Sequence, residues 1–421
     1  MLEPIIRVGI MAVSSLSAML GGYHNAETNA PAPEHLTITA AEVPQGTRLV
    51  FVPDKPDAAF SLDSVIIGVG FHWQRAETQS FRGSLSIEPQ EDGRLLIVNE
   101  VPVEDYLKSV ISSEMSANAG DEFLHAHAII SRSWLLNAIG TAGREKKFSP
   151  TRTNDEIVMW YDREDHTNFD VCADDHCQRY QGVTRQTRPE VERAIDDTRG
   201  LVLWHDGAVV DARYSKCCGG VFEEFQNAWE PVPHAYLKAG RDLVPETPVP
   251  DLANETAATE WINGSPDAFC NTTDTAVLDQ VLNNYDRETA NFYRWKVTYT
   301  ADSLTRLVNR RTGRNFGRIT ALEPLERGTS GRITRLRIVG TADTLIVGKE
   351  LEIRRSLSPT HLYSSAFTVS TDGDSFTLAG AGWGHGVGFC QIGGAMMAHK
   401  GYPYRDIVLH YYPGATLHRL Y

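Results

Sequence analysis

The spacing of apolar residues along this chain changes several times, and each change marks an element. Pro4-Ile5-Ile6-Arg7-Val8-Gly9-Ile10 is an apolar run closed by Ser14 and Ser15, which predicts an opening strand. Residues 20–36, rich in glycine, proline and small polar groups, predict a loop. From there to about Asn99, short apolar runs at 47–52 and 95–98 alternate with turn residues such as Asp92-Gly93, so strands should dominate. After Pro102 the period lengthens: Tyr106, Leu107, Val110 and Ile111 recur at helical spacing, and 123–136 forms a second helical run. Glu114 falls near the end of the first helix, and Asp121 is expected to cap the second.

Further on, 140–190 is polar, irregular and holds two of the six cysteines, which reads as an inserted arm. Residues 200–210 predict a hairpin around Asp206-Gly207, the acidic, proline-rich stretch 242–251 a surface loop, and 295–357 strand-like runs with one helix near 304–310. The expected organisation is a β-rich part over 1–100 and a helix pair over 101–140, followed by the arm over 141–190. A β-rich part with long loops over 191–295, a smaller α/β subdomain over 296–360 and a closing block over 361–421 complete it. The fold class is α+β, and 421 residues are enough for two or three units.

Composition narrows the partners. With 54 acidic against 40 basic residues the net charge is −14, which repels a phosphate backbone and argues against nucleic acid. No run approaches the roughly 18 apolar residues that a membrane helix needs. Residues 8–20 have the length of a signal-peptide core, but Glu3 stands where such a leader carries positive charge. The run is therefore assigned to a strand, and a leader is expected to be missing from the chain.

Two segments carry candidate chemistry. In 106–115 and 124–134, His125 and Arg132 lie seven apart on one helix face, where they would flank a carboxylate arriving from the first helix. The plain alternatives are a solvated helix carboxylate for Glu114, a partly buried polar pair for His125 and His127, and a salt-bridge partner for Arg132. The second segment, 381–398, is dense in glycine around His385, so its backbone must turn tightly or approach something closely. It lacks the Lys-Ser/Thr ending of a phosphate loop and the acidic residue that follows in a dinucleotide fold.

His166, Cys172, His176 and Cys177 crowd together, either as a zinc shell, as a Cys172–Cys177 disulfide or as plain thiols. Adjacent cysteines rarely bond each other, so one of Cys217 and Cys218 is expected to pair with Cys270 in an oxidising compartment. Trp73 and Trp383 read either as sugar platforms or as core aromatics.

Both segments resemble the signature blocks of the stage II sporulation protein D (SpoIID)/LytB family. Tyr106-Leu107, Val110-Ile111 and Glu114-Met115 are similar to its first block. Gly384-His385-Gly386-Val387-Gly388 with His410-Tyr411-Tyr412-Pro413-Gly414 is similar to its second, and 4–10 resembles its opening strand. The resemblance implies an extracytoplasmic lytic transglycosylase of peptidoglycan, in a cleft formed by the Glu114 helix pair and the His385 block. Glu114 would protonate the leaving oxygen and accept the proton of the muramoyl C6 hydroxyl, giving a 1,6-anhydro end without a second carboxylate. Glu104 and Asp105 are candidates should a second be needed.

Arg132 matches a family arginine of the cleft. His125 replaces a lysine, His127 a glutamine, Ser116 a proline, and Cys390 a serine, this last expected to be inert packing. Ser133, Tyr214, His385, Gln391, Tyr411 and Tyr412 are the further candidates for holding the sugar. By the same resemblance His166, Cys172 and Cys177 would bind a structural zinc, with water or Glu as fourth ligand. The rival readings are a glycan-binding modifier that stimulates a cell-wall amidase, and a zinc-stabilised surface protein without activity.

Overall fold

The computed structural model describes the chain except residues 1, 70–73, 116–118, 145–146, 160–165, 175, 186–187, 246 and 283–290. Trp73 and Ser116 lie outside the described residues. The chain divides into two compact units, the first of 1–142, 165–202 and 418–421 and the second of 143–164 and 203–417. Each mixes strands with helices, so the fold is α+β.

The opening apolar run of the first unit is the strand Ile5–Val13, as its pattern predicts. It lies inside a six-stranded sheet, antiparallel to Leu95–Pro102 on one side and parallel to Val171–Cys172 on the other. Ser84–Pro89, Leu49–Pro53 and Tyr23–Asn25 extend the sheet beyond Leu95–Pro102. A second sheet of four strands runs His35–Thr39, Ser15–Met19, Ala59–Ile67, Arg75–Arg82.

Gly83 links that sheet to the first at φ +83°, and a Cβ there would stand 2.2 Å from the Glu100 carbonyl oxygen. Gly83→Ala is therefore expected to destabilise this unit by at least about 1–2 kcal/mol, read as a lower urea midpoint.

Helix α1, Val103–Glu114, buries Tyr106, Leu107, Val110 and Ile111, the residues whose spacing announces it. Glu104 and Asp105 occupy its first turn, where the helix dipole favours acids. Helix α2, Asp121–Thr141, packs on α1 and on α3, Pro189–Asp197. Gly120, rather than Asp121, is the N-cap of α2; Asp121 is the first helical residue, and its contribution is to the dipole.

The segment expected as an arm is built into both units. Val171–Cys172 completes the sheet of the first, while Glu156–Val158 pairs in parallel with Thr344–Gly348 in the second. Tyr180 is fully buried, stacks on Tyr106 at 4.9 Å and donates to Asn99 Oδ1 at 2.6 Å. Polar composition concealed this because few core residues are needed to anchor a long, otherwise exposed segment.

In the second unit a five-stranded sheet, ordered Thr151–Arg152, Glu156–Val158, Thr344–Gly348, Ile333–Gly340, Ile319–Arg327, packs with the helix Ala301–Thr312 over one apolar core. Thr300 caps that helix and Gly313 ends it in the left-handed region, as a C′ glycine does. Arg294–Thr300, Ser375–Ala381 and Phe367–Asp372 form an antiparallel sheet. The Asp206-Gly207 hairpin forms as expected, with both residues at positive φ. The 242–251 stretch departs from expectation at its start, since Asp242 is fully buried.

Candidate active site and cysteine clusters

Glu114 is the last residue of α1, and the chain leaves the helix there because Met115 turns extended and is fully buried. Anchoring Met115 leaves the Glu114 side chain half-buried at the helix end. Its Oε1 accepts the backbone N–H of Arg179 at 3.0 Å. Two residues on, the N–H of Gln181 donates to Ser109 Oγ at 3.0 Å, so the 179–181 backbone lies along α1 and fixes the carboxylate. A cavity lies beside Arg179, lined also by Gln79, Cys172 and Asp174.

Immediately before this backbone stands the first cysteine cluster. One donor atom each of His166, Cys172, His176 and Cys177 lies within 4.8 Å of the others. Cys177 Sγ is 3.4 Å from His166 Nε2 and 3.5 Å from His176 Nδ1. The Cys172 thiol is pulled well below the ordinary range, by its hydrogen bond with Cys177 first and by the two imidazoles next. No disulfide joins Cys172 and Cys177 in this structure. His176 joins the three residues that the family resemblance named; its place in the crowded 166–177 stretch was the signal for it.

The two cations expected around Glu114 each face another acid. Arg132 is fully buried and binds Glu104 in a fork, Nε to Oε1 at 3.0 Å and Nη2 to Oε2 at 2.6 Å. Glu104 Oε1 also accepts from Gly200 N at 3.2 Å and Tyr421 Oη at 2.7 Å, so it is a structural carboxylate. Asp105 pairs with Lys108 at 3.0 Å. His125, half-buried, faces Asp197 at 3.2 Å. His127 is buried against Ser131, and Ser133 is buried and donates to the Ile129 carbonyl, the back-bond of a helix-interior serine. Helical spacing places residues on a face but does not say whether that face looks outward.

The glycine-dense block belongs to the second unit. Gly382, Gly384, Gly386 and Gly388 all have positive φ, and a Cβ on Gly386 or Gly388 would stand 2.3 Å from Arg332 Cζ or 2.2 Å from the Arg213 carbonyl oxygen. The close approach that the glycines foretold is thus to the chain itself. His385 is half-buried, its Nδ1 accepts from Val387 N at 3.0 Å, and burial first and Arg213 and Arg332 next hold its imidazole well below the usual range, hence neutral.

Tyr411 and Tyr412 are core residues. Tyr411 donates to Asp242 Oδ1 and Tyr412 to the Arg213 carbonyl, each at 2.6 Å. Gln391 is buried at the start of the helix Gln391–His399, and Tyr214 is half-buried in a two-stranded parallel pairing with Phe389–Cys390. Trp383 is half-buried and stacks on Phe292 at 4.9 Å. Cys390, expected as inert packing, converges with Cys218, Cys270 and Asp242.

Comparison with known proteins agrees with the motifs. Residues 91–205, which hold α1, α2 and the first cysteine cluster, match the family described as Stage II sporulation protein, and residues 223–388 match a domain of unknown function (DUF8618). The amidase enhancer of Bacillus subtilis (strain 168) is 25% identical over 342 residues, 74% of this chain and 40% of that protein, so the chain spans two fifths of that relative's length. Stage II sporulation protein D of Bacillus amyloliquefaciens is 22% identical over 323 residues, 76% of this chain and 75% of that one. An uncharacterised protein of Brachyspira hyodysenteriae is 25% identical over 339 residues, 80% of this chain and 72% of that one. Over residues 91–205 the chain is therefore similar to the Stage II sporulation protein family, and along most of its length it is distantly similar to proteins named Stage II sporulation protein D and amidase enhancer.

Proposed function

We propose that this chain is an extracytoplasmic lytic transglycosylase that cleaves the bond between N-acetylmuramic acid and N-acetylglucosamine in peptidoglycan. Its one catalytic carboxyl is Glu114. The observation that carries this reading is the position of Glu114: at the end of α1, half-buried, with its Oε1 held by the Arg179 backbone amide. The similarity of residues 91–205 to the Stage II sporulation protein family supports the cell-wall context, and no helix among the described residues is long and apolar enough to cross a membrane.

The chemistry asks for one group that does two things. A protonated carboxyl gives its proton to the glycosidic oxygen as the C1–O bond breaks. The carboxylate so formed takes the proton of the muramoyl C6 hydroxyl as that oxygen bonds to C1, closing the 1,6-anhydro ring. The proton count closes on a single residue, and no water enters the product. A hydrolase would use a second carboxylate; Glu104 is committed to Arg132 and Asp105 to Lys108.

The test is incubation with peptidoglycan, intact and stripped of stem peptides, followed by mass spectrometry. Anhydro-muropeptides support the enzyme. Binding without any product, together with faster cleavage by an added amidase, supports the modifier reading that the amidase enhancer's name suggests.

Within this proposal zinc sits at His166, Cys172, His176 and Cys177, a two-sulfur, two-nitrogen set suited to a closed structural site. When bound it would supply a rigid crosslink rather than a reacting group. The residues it ties down precede the Arg179 amide that holds Glu114. Cys177→Ser is therefore expected to release the metal and slow cleavage by about tenfold or more. Metal analysis alongside the muropeptide assay checks both, and unchanged metal content would remove zinc from this cluster.

A further inference from the structure

A second cluster lies wholly in the core of the second unit. Cys218, Asp242, Cys270 and Cys390 are each buried, and one donor atom of each lies within 4.8 Å of the others. They arrive from four separate stretches of chain, so no local sequence spacing announces them. Cys218 Sγ and Cys270 Sγ are 3.6 Å apart. Two ligands on a tetrahedron of Zn–S bonds of about 2.3 Å stand about 3.8 Å apart, whereas disulfide sulfurs are about 2.05 Å apart.

The surroundings are arranged as a ligand shell requires. The N–H of Cys218 points at Cys390 Sγ at 3.2 Å, and the N–H of Gly220 at Cys218 Sγ at 3.4 Å. Amides aimed at sulfur stabilise thiolate over thiol. Gly219 and Gly220 both take positive φ to make that turn, which explains the Cys217-Cys218-Gly219-Gly220 run. The Asp242 carboxylate is oriented from both sides, by Tyr411 Oη at 2.6 Å and the Cys270 N–H at 2.8 Å, the outer support that a ligating carboxylate normally has. A Cβ on Gly393 would stand 2.4 Å from Asp242 Oδ1, so the helix Gln391–His399 closes directly over the site.

A Cys218–Cys270 disulfide would leave the Cys390 thiol and the Asp242 carboxyl buried together, with the Cys217 thiol beside them. A divalent ion uses Cys218, Asp242, Cys270 and Cys390 together and offsets about half of their combined charge.

We propose that Cys218, Asp242, Cys270 and Cys390 form a closed, structural zinc site in the second unit, separate from the His166 cluster. Binding releases the three thiol protons and any proton on the carboxyl, and the metal then ties the 218–220, 242, 270 and 390 segments into one core. The site has no open position and takes no part in the glycan chemistry.

The test isolates it from the first cluster. In a His166→Ala/His176→Ala variant, elemental analysis is expected to find one tightly bound zinc per chain, and cobalt loading to give thiolate-to-metal charge-transfer absorption. Adding Cys270→Ser is expected to abolish both. Wild-type protein should carry two equivalents, a reading that needs no core substitution to fold. The proposal is overturned if the His166→Ala/His176→Ala protein is folded and metal-free. It is overturned equally if peptide mapping of freshly purified wild type finds Cys218 or Cys217 disulfide-bonded to Cys270.

Discussion

Glu114→Gln is expected to abolish release of anhydro-muropeptides, lowering turnover by about 10²–10⁴-fold, the usual share of a general acid/base, while leaving the unfolding midpoint almost unchanged. The two halves of this expectation have one cause. Glutamine keeps an oxygen that accepts the Arg179 amide at the end of α1, so the packing that positions the side chain survives. What it lacks is a proton to give to the glycosidic oxygen and a carboxylate to take one back. The measurement is product yield by mass spectrometry from wild type and variant on the same sacculi, with circular dichroism as the folding control. Undiminished product from a folded variant would remove Glu114 from the chemistry; product lost together with structure would make it a packing residue.

Most of the scaffold was legible because apolar spacing reports which side of an element is buried. The strand at the opening apolar run, the α1–α2 pair and the Asp206-Gly207 hairpin follow from period and turn chemistry alone. The glycine block was legible as a place of close approach, but composition does not say what approaches, and the partner proved to be Arg332 and Arg213 of the same unit. Spacing failed where function depended on direction. His125 and Arg132 share a helix face as expected, yet Arg132 turns into the core toward Glu104 and His125 toward Asp197. The two cysteine clusters show the same limit: the first is local in sequence and visible as a crowd, while the second is assembled by tertiary structure from 218, 242, 270 and 390.

The Arg132–Glu104 pair also yields the largest expected loss of stability in the molecule. Arg132 is fully buried, and its third contact, Nη1 to the Leu201 carbonyl at 3.0 Å, joins the pair to the chain that follows α3. With Tyr421 and the Gly200 N–H on the same carboxylate, one ion pair holds together α1, α2, the 200–201 backbone and the chain's last residue. Arg132→Met would leave a carboxylate, and Glu104→Met a guanidinium, buried without its counter-charge, so each is expected to cost about 3–5 kcal/mol. The double variant Glu104→Met/Arg132→Met strands neither charge and is expected to cost much less than the sum, because an apolar pair of similar volume often replaces a buried ion pair at little cost. Urea unfolding of the three variants, followed on a probe in the first unit, measures that coupling. A cleft arginine would give the opposite pattern: Arg132→Met would leave stability nearly intact, fail to bind glycan, and show no coupling to Glu104.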